Sequence, residues 1–297
     1  MISTRTPRAL AFELVSWLPR SWQERCASLL RRSSLLRGAY LQITTSLKNR
    51  NGTIAAGPAR GLRFNPAESD SRFLLGTFEL PIQYILTSQL HSGMVFYDVG
   101  ANVGFFAMLA ARLVGAQGQV HCFEPLQANV AIIRHNANLN GFNQVFVHPV
   151  ALAQSDSMAS FRVSERPTFG ALTDSPISVD KQTGTVQVPV RRLDSFSEEA
   201  SLSGPSVIKV DIEGSEADFL VGADRIIRHF RPLLVIELHG TNRLVAACLE
   251  KLSYDCDIVG GSTIERADWA ALAVATPREQ PGNRAAVAGV CRQFQGR

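Results

Sequence analysis

The sequence predicts an α/β protein with a Rossmann-like, mostly parallel sheet, helices on both faces and a helical N-terminal extension. Strand-type and helix-type segments alternate five times, the pattern of parallel strands joined by crossover helices. Several strand-type runs end in an acidic residue or a glycine turn, where such sheets bind their ligands. Hydrophobic residues make up 45% of the 297 and charged residues 19%, enough to bury a sizeable core.

Residues 1–56 read as a basic extension. Leu10, Leu14 and Trp17, then Leu29, Leu30, Leu35 and Leu36, recur among arginines as on an amphipathic helix. Residues 1–63 hold eleven Lys/Arg and two acids, Glu13 and Glu24; the remainder holds nineteen bases and twenty-four acids. The charge is therefore concentrated in the head. A solvated arm and peripheral contact with an anionic membrane both fit it. Nucleic acid is not expected as a partner, because basic and aromatic residues do not interleave and the rest of the chain is acidic. No run reaches the ~20 apolar residues of a membrane span and no signal peptide is read, so a cytoplasmic location is expected, with the membrane's inner face as its variant. Five scattered cysteines without a CxxC pair fit reduced thiols and give no zinc site.

Residues 49–61, NRNGTIAAGPARG, are turn-rich and predict a short hairpin. From Phe73 the pattern reads as alternation. MVFYDVG is a buried strand by its β-branched and aromatic content, followed by a helix at 104–113. QVHCFEP is a second strand, and residues 126–140 are a helix capped by Gly141. QVFVHPVALA is read as one strand. Residues 155–195 alternate with period two and predict an antiparallel excursion. SVIKVDIEG returns as a buried strand, and SEADFLVGADRIIRHF is one helix with Ser215 as its N-cap. PLLVIELHG, a helix at 241–252 and the strand WAALAVATP follow; residues 278–297 read as a loose tail.

The strand ends carry the chemistry. The first strand runs into Asp98-Val-Gly-Ala-Asn-Val-Gly104, where Gly100 and Gly104 would let a ligand lie against the backbone and the helix start offers N–H groups. Asn102 stands where a dinucleotide fingerprint needs glycine, and Asp98 would repel a pyrophosphate but suits an ammonium. Glu124 ends the second strand, the place of an acid that binds ribose hydroxyls in nucleotide-binding sheets. KVDIEGSE sets Lys209, Asp211, Glu213 and Glu216 at the next edge, and Glu237 with His239 end the strand after that. Period two places Asp211 with Glu213, and Glu237 with His239. Glu216 is read as a helix-capping or arginine-pairing acid and Lys209 as the group that neutralises the cluster.

Together these residues resemble the FkbM family of S-adenosylmethionine-dependent methyltransferases. The matching pieces are GTFEL, DVGANVGFF, FEP, NANLNG, VALAQSD, RRLDSF, KVDIEGSEADFLVGA and PLLVIELHG, spread over residues 57–277. The resemblance implies a seven-stranded class I methyltransferase sheet whose last strand is antiparallel, with S-adenosylmethionine as cofactor. It assigns the methionine end to Asp98, Gly100, Asn102 and Gly104, the ribose to Glu124, the adenine to the segment around Ala151, and a closing role to Glu79. It also implies methyl transfer to a hydroxyl oxygen; the acceptor is read as a small molecule, sugar or lipid-linked glycan, and Asp211, Glu213 and His239, by their position and acid–base chemistry, are the candidate acceptor-side catalytic residues. Such acids and a histidine are ligand types for Mg²⁺ or a similar ion, but no metal ligand is assigned. A methyltransferase-like binding protein without catalysis and a nicotinamide-dependent oxidoreductase are the alternatives. Oligomeric state is not legible.

Overall fold

The computed structural model describes residues 48–70, 72–164, 170–172 and 182–294. The predicted N-terminal helices at residues 1–47 lie outside the described residues. The chain divides into two compact units, Met1–Leu80 and Pro81–Arg297.

In the first unit the expected hairpin forms from β1 (Gly52–Thr53) and β2 (Arg63–Phe64), paired antiparallel. A short helix, α1 (Arg72–Leu75), follows in place of the alternation read from Phe73. Phe73 packs against Phe64 and Phe78, with ring centroids 5.7 and 4.4 Å apart.

The second unit is built on a seven-stranded sheet. Its strands are β3 (Val95–Val99), β4 (Gln119–Phe123), β5 (Val145–His148), β10 (Val207–Val210), β11 (Leu233–Glu237), β12 (Tyr254–Ile258) and β13 (Leu272–Pro277), in the order β12-β13-β11-β10-β3-β4-β5. β3, β4, β5, β10 and β11 pair in parallel; β13 runs antiparallel between β11 and β12. This is the expected sheet, with its antiparallel last strand. Buried runs such as VFYDV explain the parallel core, since strands covered on both faces carry apolar residues at nearly every position. α2 (Leu80–Gln89) precedes β3 and continues the helical replacement of the expected alternation.

α3 (Phe105–Val114) packs on β3 and β4, and α4 (Gln127–Asn140) on β5. Gly141 closes α4 in the left-handed conformation, φ 68°, as its position predicted. Across the sheet, Tyr97, Val99, Ile208 and Val210 form a core with Phe219, Leu220, Ile227, Val245 and Leu249. Those last residues come from α6 (Glu216–Gly222), α7 (Asp224–Phe230) and α8 (Asn242–Leu252).

Four local expectations change. QVFVHPVALA divides: β5 stays in the main sheet, whereas β6 (Ala151–Leu152) joins a second sheet with β7 (Ser157–Ser164), β8 (Gly170–Leu172) and β9 (Gln182–Arg191), because Pro149 cannot donate to a continuing ladder. In that second sheet, order β6-β9-β7-β8, β7 pairs antiparallel with β8 and β9, as read for residues 155–195, whereas β6 pairs parallel with β9. The helix read over SEADFLVGADRIIRHF breaks at Ala223 into α6 and α7. β12 was not read from the sequence, its YDCDI lacking an apolar run. The tail is also ordered, Pro281–Arg292 forming α9 with proline in its first turn. Arg284 of α9 holds Asp255 and Asp257 of β12 at 2.6 and 3.0 Å, ties that no local pattern announces. α5 (Leu193–Glu199) follows β9.

Among the described residues no helix is long and apolar enough to cross a membrane. Cys122, Cys248, Cys256 and Cys291 are free thiols.

Candidate active site

The sheet order reverses between β3 and β10: the chain builds β3, β4 and β5 outward on one side, then β10 and β11 on the other. In such a sheet the crevice lies at the carboxyl ends of those two strands. Asp98 and Lys209 are register partners there. Neighbouring parallel strands put partner side chains on the same face, so the Lys209 ammonium lies 3.7 Å from Asp98 and 3.1 Å from Asp211. It also donates to the Gly100 carbonyl at 3.3 Å.

Asp98 is fully buried, and neither of its carboxylate oxygens receives a well-formed hydrogen bond. Burial pushes its pKa up to about 6, which the Lys209 charge and the nearby Ala107 N–H offset only in part. Glu124 is also buried. Its oxygens accept the Asn102 and Leu126 amides, each at 2.9 Å, so it pins the loop after β3 to the end of β4. Burial outweighs these bonds and pushes its pKa up to about 7.

That shift makes a prediction. The folded state retains a proton on Glu124 that the unfolded chain loses near pH 4.5. Stability from this group is therefore present below pH 4.5 and lost as pH rises through about 7, up to ~3 kcal/mol in all. Glu124→Gln removes the titration, so the difference in melting temperature, variant minus wild type, is expected to grow between pH 5 and pH 7.5. A pH-independent difference would contradict this.

The two loop glycines are required by packing within the chain. A Cβ on Gly100, φ +76°, would stand 1.9 Å from the Asp211 carbonyl oxygen, and one on Gly104 would press on Ile133 at 3.2 Å. Their missing side chains let the loop pack against β10 and α4. The N–H groups are also committed, Gly100 and Ala101 donating to Phe123 and Gly104 to Ala101. Asn102, at φ +51°, carries the left-handed turn between them. Ala151 lies in β6 as expected near Val150 and Leu152, but its methyl group packs with Ala153, Val188 and Val190. Glu79 belongs to the first unit, at φ +38°.

Asp211, Glu213, Glu237 and His239 do converge, by a route other than strand alternation. β10 ends at Val210, and Glu213 (φ +53°) and Gly214 (φ +93°) turn the chain back in left-handed conformations. β11, registered with β10, carries Glu237 and His239 to the same edge. His239 Nε2 then lies 3.9 Å from Asp211, 3.6 Å from Glu213 and 3.9 Å from Glu237. The ring packs edge-on against Trp269, centroids 5.4 Å apart.

Glu216 is the residue the sequence reading undervalued. It is fully buried, and it neither caps a helix end nor meets an arginine. Its Oε1 lies 2.9 Å from His239 Nδ1 and accepts the Gly214 N–H at 2.9 Å; its Oε2 accepts the Thr241 hydroxyl at 2.7 Å. Ser215 stands at the N-cap without bonding the helix through its side chain. Burial opposes a charge on His239, but the bond to Glu216 and the charges of Asp211 and Glu213 outweigh it and push its pKa up to about 9. Burial and the Asp211 charge push Glu237 up to about 7.

His121 plays no part here. It faces His148 at 3.0 Å in an aromatic stack, and burial pushes both imidazoles down to about 4, so they stay neutral. Beside His239 a cleft of about 380 Å³ opens, lined by Gly240, Thr241, Asn242, Leu244, Ala267 and Trp269 among others. Leu244 and Trp269 are exposed in it.

Known proteins resemble this chain. The family model described as Methyltransferase FkbM domain matches residues 98–256, which hold every site residue above except Glu79, Ala267 and Trp269. Methyltransferase 1 of Beauveria bassiana (strain ARSEF 2860) is 29% identical over 192 residues, 58% of this chain and 74% of that protein. The 31-O-demethyl-FK506 methyltransferase FkbM of Streptomyces tacrolimicus is 26% identical over 167 residues, 46% of this chain and 62% of that protein. The crystal structure of methyltransferase FkbM from Methylobacillus flagellatus KT aligns with a TM-score of 0.44 and 21% identity, over 69% of this chain and about half (52%) of that one.

Proposed function

The matched region spans more than half of the chain, so the chain belongs to the methyltransferase FkbM domain family; from that premise we propose that it methylates a hydroxyl oxygen of a small molecule, sugar or glycan with S-adenosylmethionine as donor. The observation that carries the cofactor reading is the buried, poorly satisfied Asp98 carboxylate at the switch point of the sheet. A buried carboxylate is costly; Lys209, 3.7 Å away and bonded to Asp211 and the Gly100 carbonyl, offsets that cost only in part, and the ammonium of a methionine end would complete the pairing. Glu124, which also accepts the Asn102 and Leu126 amides and the Asn129 side chain, takes the ribose hydroxyls. Asn102 and the glycine loop shape that pocket, and the backbone of 150–152 borders the adenine.

When bound, S-adenosylmethionine supplies an activated methyl carbon, which passes to the acceptor oxygen as the C–S bond breaks with its electron pair left on sulfur and the acceptor's proton is lost. The chain's part is to position the acceptor and receive that proton. Asp211, Glu213 and His239 line the acceptor side, with the carboxylates as the proton-accepting groups and His239 as the charge beside them. The cleft beside His239, walled by Trp269 and floored by Gly240 and Thr241, supports an acceptor with a flat or ring-shaped apolar face. Proximity and alignment at such a site are worth up to about 7–11 kcal/mol of barrier.

Calorimetric titration of the full chain with S-adenosylhomocysteine, and separately with NAD, tests the cofactor. Binding of the first alone is expected. Binding of NAD alone would transfer the chain to the oxidoreductases, and binding of neither would remove the proposed cofactor.

A further inference from the structure

We propose that Asp211, Glu237 and His239 hold a divalent metal ion. From the sequence these acids and the histidine are ligand types for an ion, with no metal ligand assigned; the pairing of β10 with β11 is what brings Asp211 beside Glu237. One donor atom from each of the three residues lies within 4.8 Å of the other two. Nε2 of His239 is 3.9 Å from both carboxylates. Donors sharing one ion at bonds of about 2.1 Å stand roughly 3 to 4 Å apart, so small side-chain rotations complete the set.

The imidazole, not the acids, identifies the cluster as a ligand set. His239 is only 5% exposed, and its Nε2 points among three carboxylates while hydrogen-bonding none of the described residues. Nδ1 is held by Glu216, itself fully buried and fixed by Gly214 and Thr241. A carboxylate behind a histidine in this way turns the opposite nitrogen outward and is the usual support of a metal-ligating imidazole; an ion bound there would displace the Nε2 proton. Lys209 engages Asp211 through Oδ2, leaving Oδ1, the oxygen nearest His239, for the ion. Glu213, 3.6 Å from Nε2, stands beside the three as a further oxygen donor.

One imidazole with two or three carboxylates favours an ion that accepts nitrogen as well as oxygen, Mn²⁺ over Ca²⁺. The ion would face the cleft beside Trp269. Its role there rests on the proposed methyl transfer: it would take the acceptor hydroxyl as a ligand and lower that group's pKa. Its binding rests on the geometry alone.

The test is Mn²⁺ titration of the full chain after dialysis against EDTA, read by calorimetry and by loss of the free-ion electron paramagnetic resonance signal. One Mn²⁺ per chain is expected. Glu237→Gln and His239→Gln should weaken binding by at least the roughly 10–100-fold that losing even a residue behind a ligand costs. S-adenosylhomocysteine binding and the circular dichroism melt, measured on the same variants, report whether each is folded. Wild-type protein that binds S-adenosylhomocysteine but no Mn²⁺ up to millimolar concentration overturns the metal site and leaves the methyltransferase reading intact. Undiminished Mn²⁺ affinity in both folded variants overturns the assignment to these residues. Mn²⁺ binding with no S-adenosylhomocysteine binding supports the site and removes its proposed role.

Discussion

Asp98→Asn is expected to lower the affinity for S-adenosylhomocysteine about 100-fold without lowering thermal stability. The two halves of this result come from one fact, the burial of a carboxylate with no good hydrogen-bond donor. A hydrogen bond to a charged partner is worth about 1.5–3 kcal/mol, and its loss in a water-excluded pocket appears in full as affinity. In the free protein the sign reverses. Burial raises the Asp98 pKa to about 6, above its ordinary value of 3.8. Stability from the protonated form is complete below pH 3.8 and is lost as pH rises past about 6. At pH 7.5 the charge therefore costs the fold about 3 kcal/mol. An amide of the same shape removes that cost, while Lys209 keeps Asp211 and the Gly100 carbonyl as partners. Calorimetry and a thermal melt at pH 7.5 check both halves. Wild-type affinity would end the assignment of Asp98 to the cofactor.

Glu216→Gln is expected to destabilise the protein by about 3–5 kcal/mol, lowering the melting temperature by on the order of 10 °C. Glu216 is fully buried and accepts from three donors, the Gly214 amide, the Thr241 hydroxyl and the His239 ring. Glutamine offers one oxygen and turns an N–H₂ group toward a donor, leaving buried polar atoms unpaired. His239 also loses the bond that orients it, so methyl transfer should fall together with stability. A Glu216→Asp protein, which keeps the charge but is one methylene short, should lie between the two. A melting temperature within a degree or two of wild type for the glutamine variant would show that the network contributes far less than its burial implies.

The parallel sheet was legible because its strands are buried on both faces and announce themselves as apolar runs such as VFYDV and LLVIE. Asp98, Glu124, Asp211 and His239 were legible for a related reason: a charged residue closing such a run has no local purpose, and the fold rule puts ligands there. β12 and α9 were not legible. Asp255 and Asp257 break the apolar run of β12, and their compensation comes from Arg284 on a helix 27 to 29 residues away. SEADFLVGADRIIRHF read as one helix because period counting does not register the break at Ala223.

The sequence by itself determined which residues end the strands, and with them the order in which acids, glycines and the histidine arrive at one edge of the sheet. Only the tertiary structure decided what each does there. Gly100 must be small because the Asp211 backbone crosses it, a close approach that no local spacing announces. Glu216, set aside as a capping acid, became the support of His239, 23 residues further along the chain. Local pattern encodes which face of an element is buried. The partner that a buried polar group meets is fixed by the register of neighbouring strands and the return of distant turns, and no local spacing carries that information.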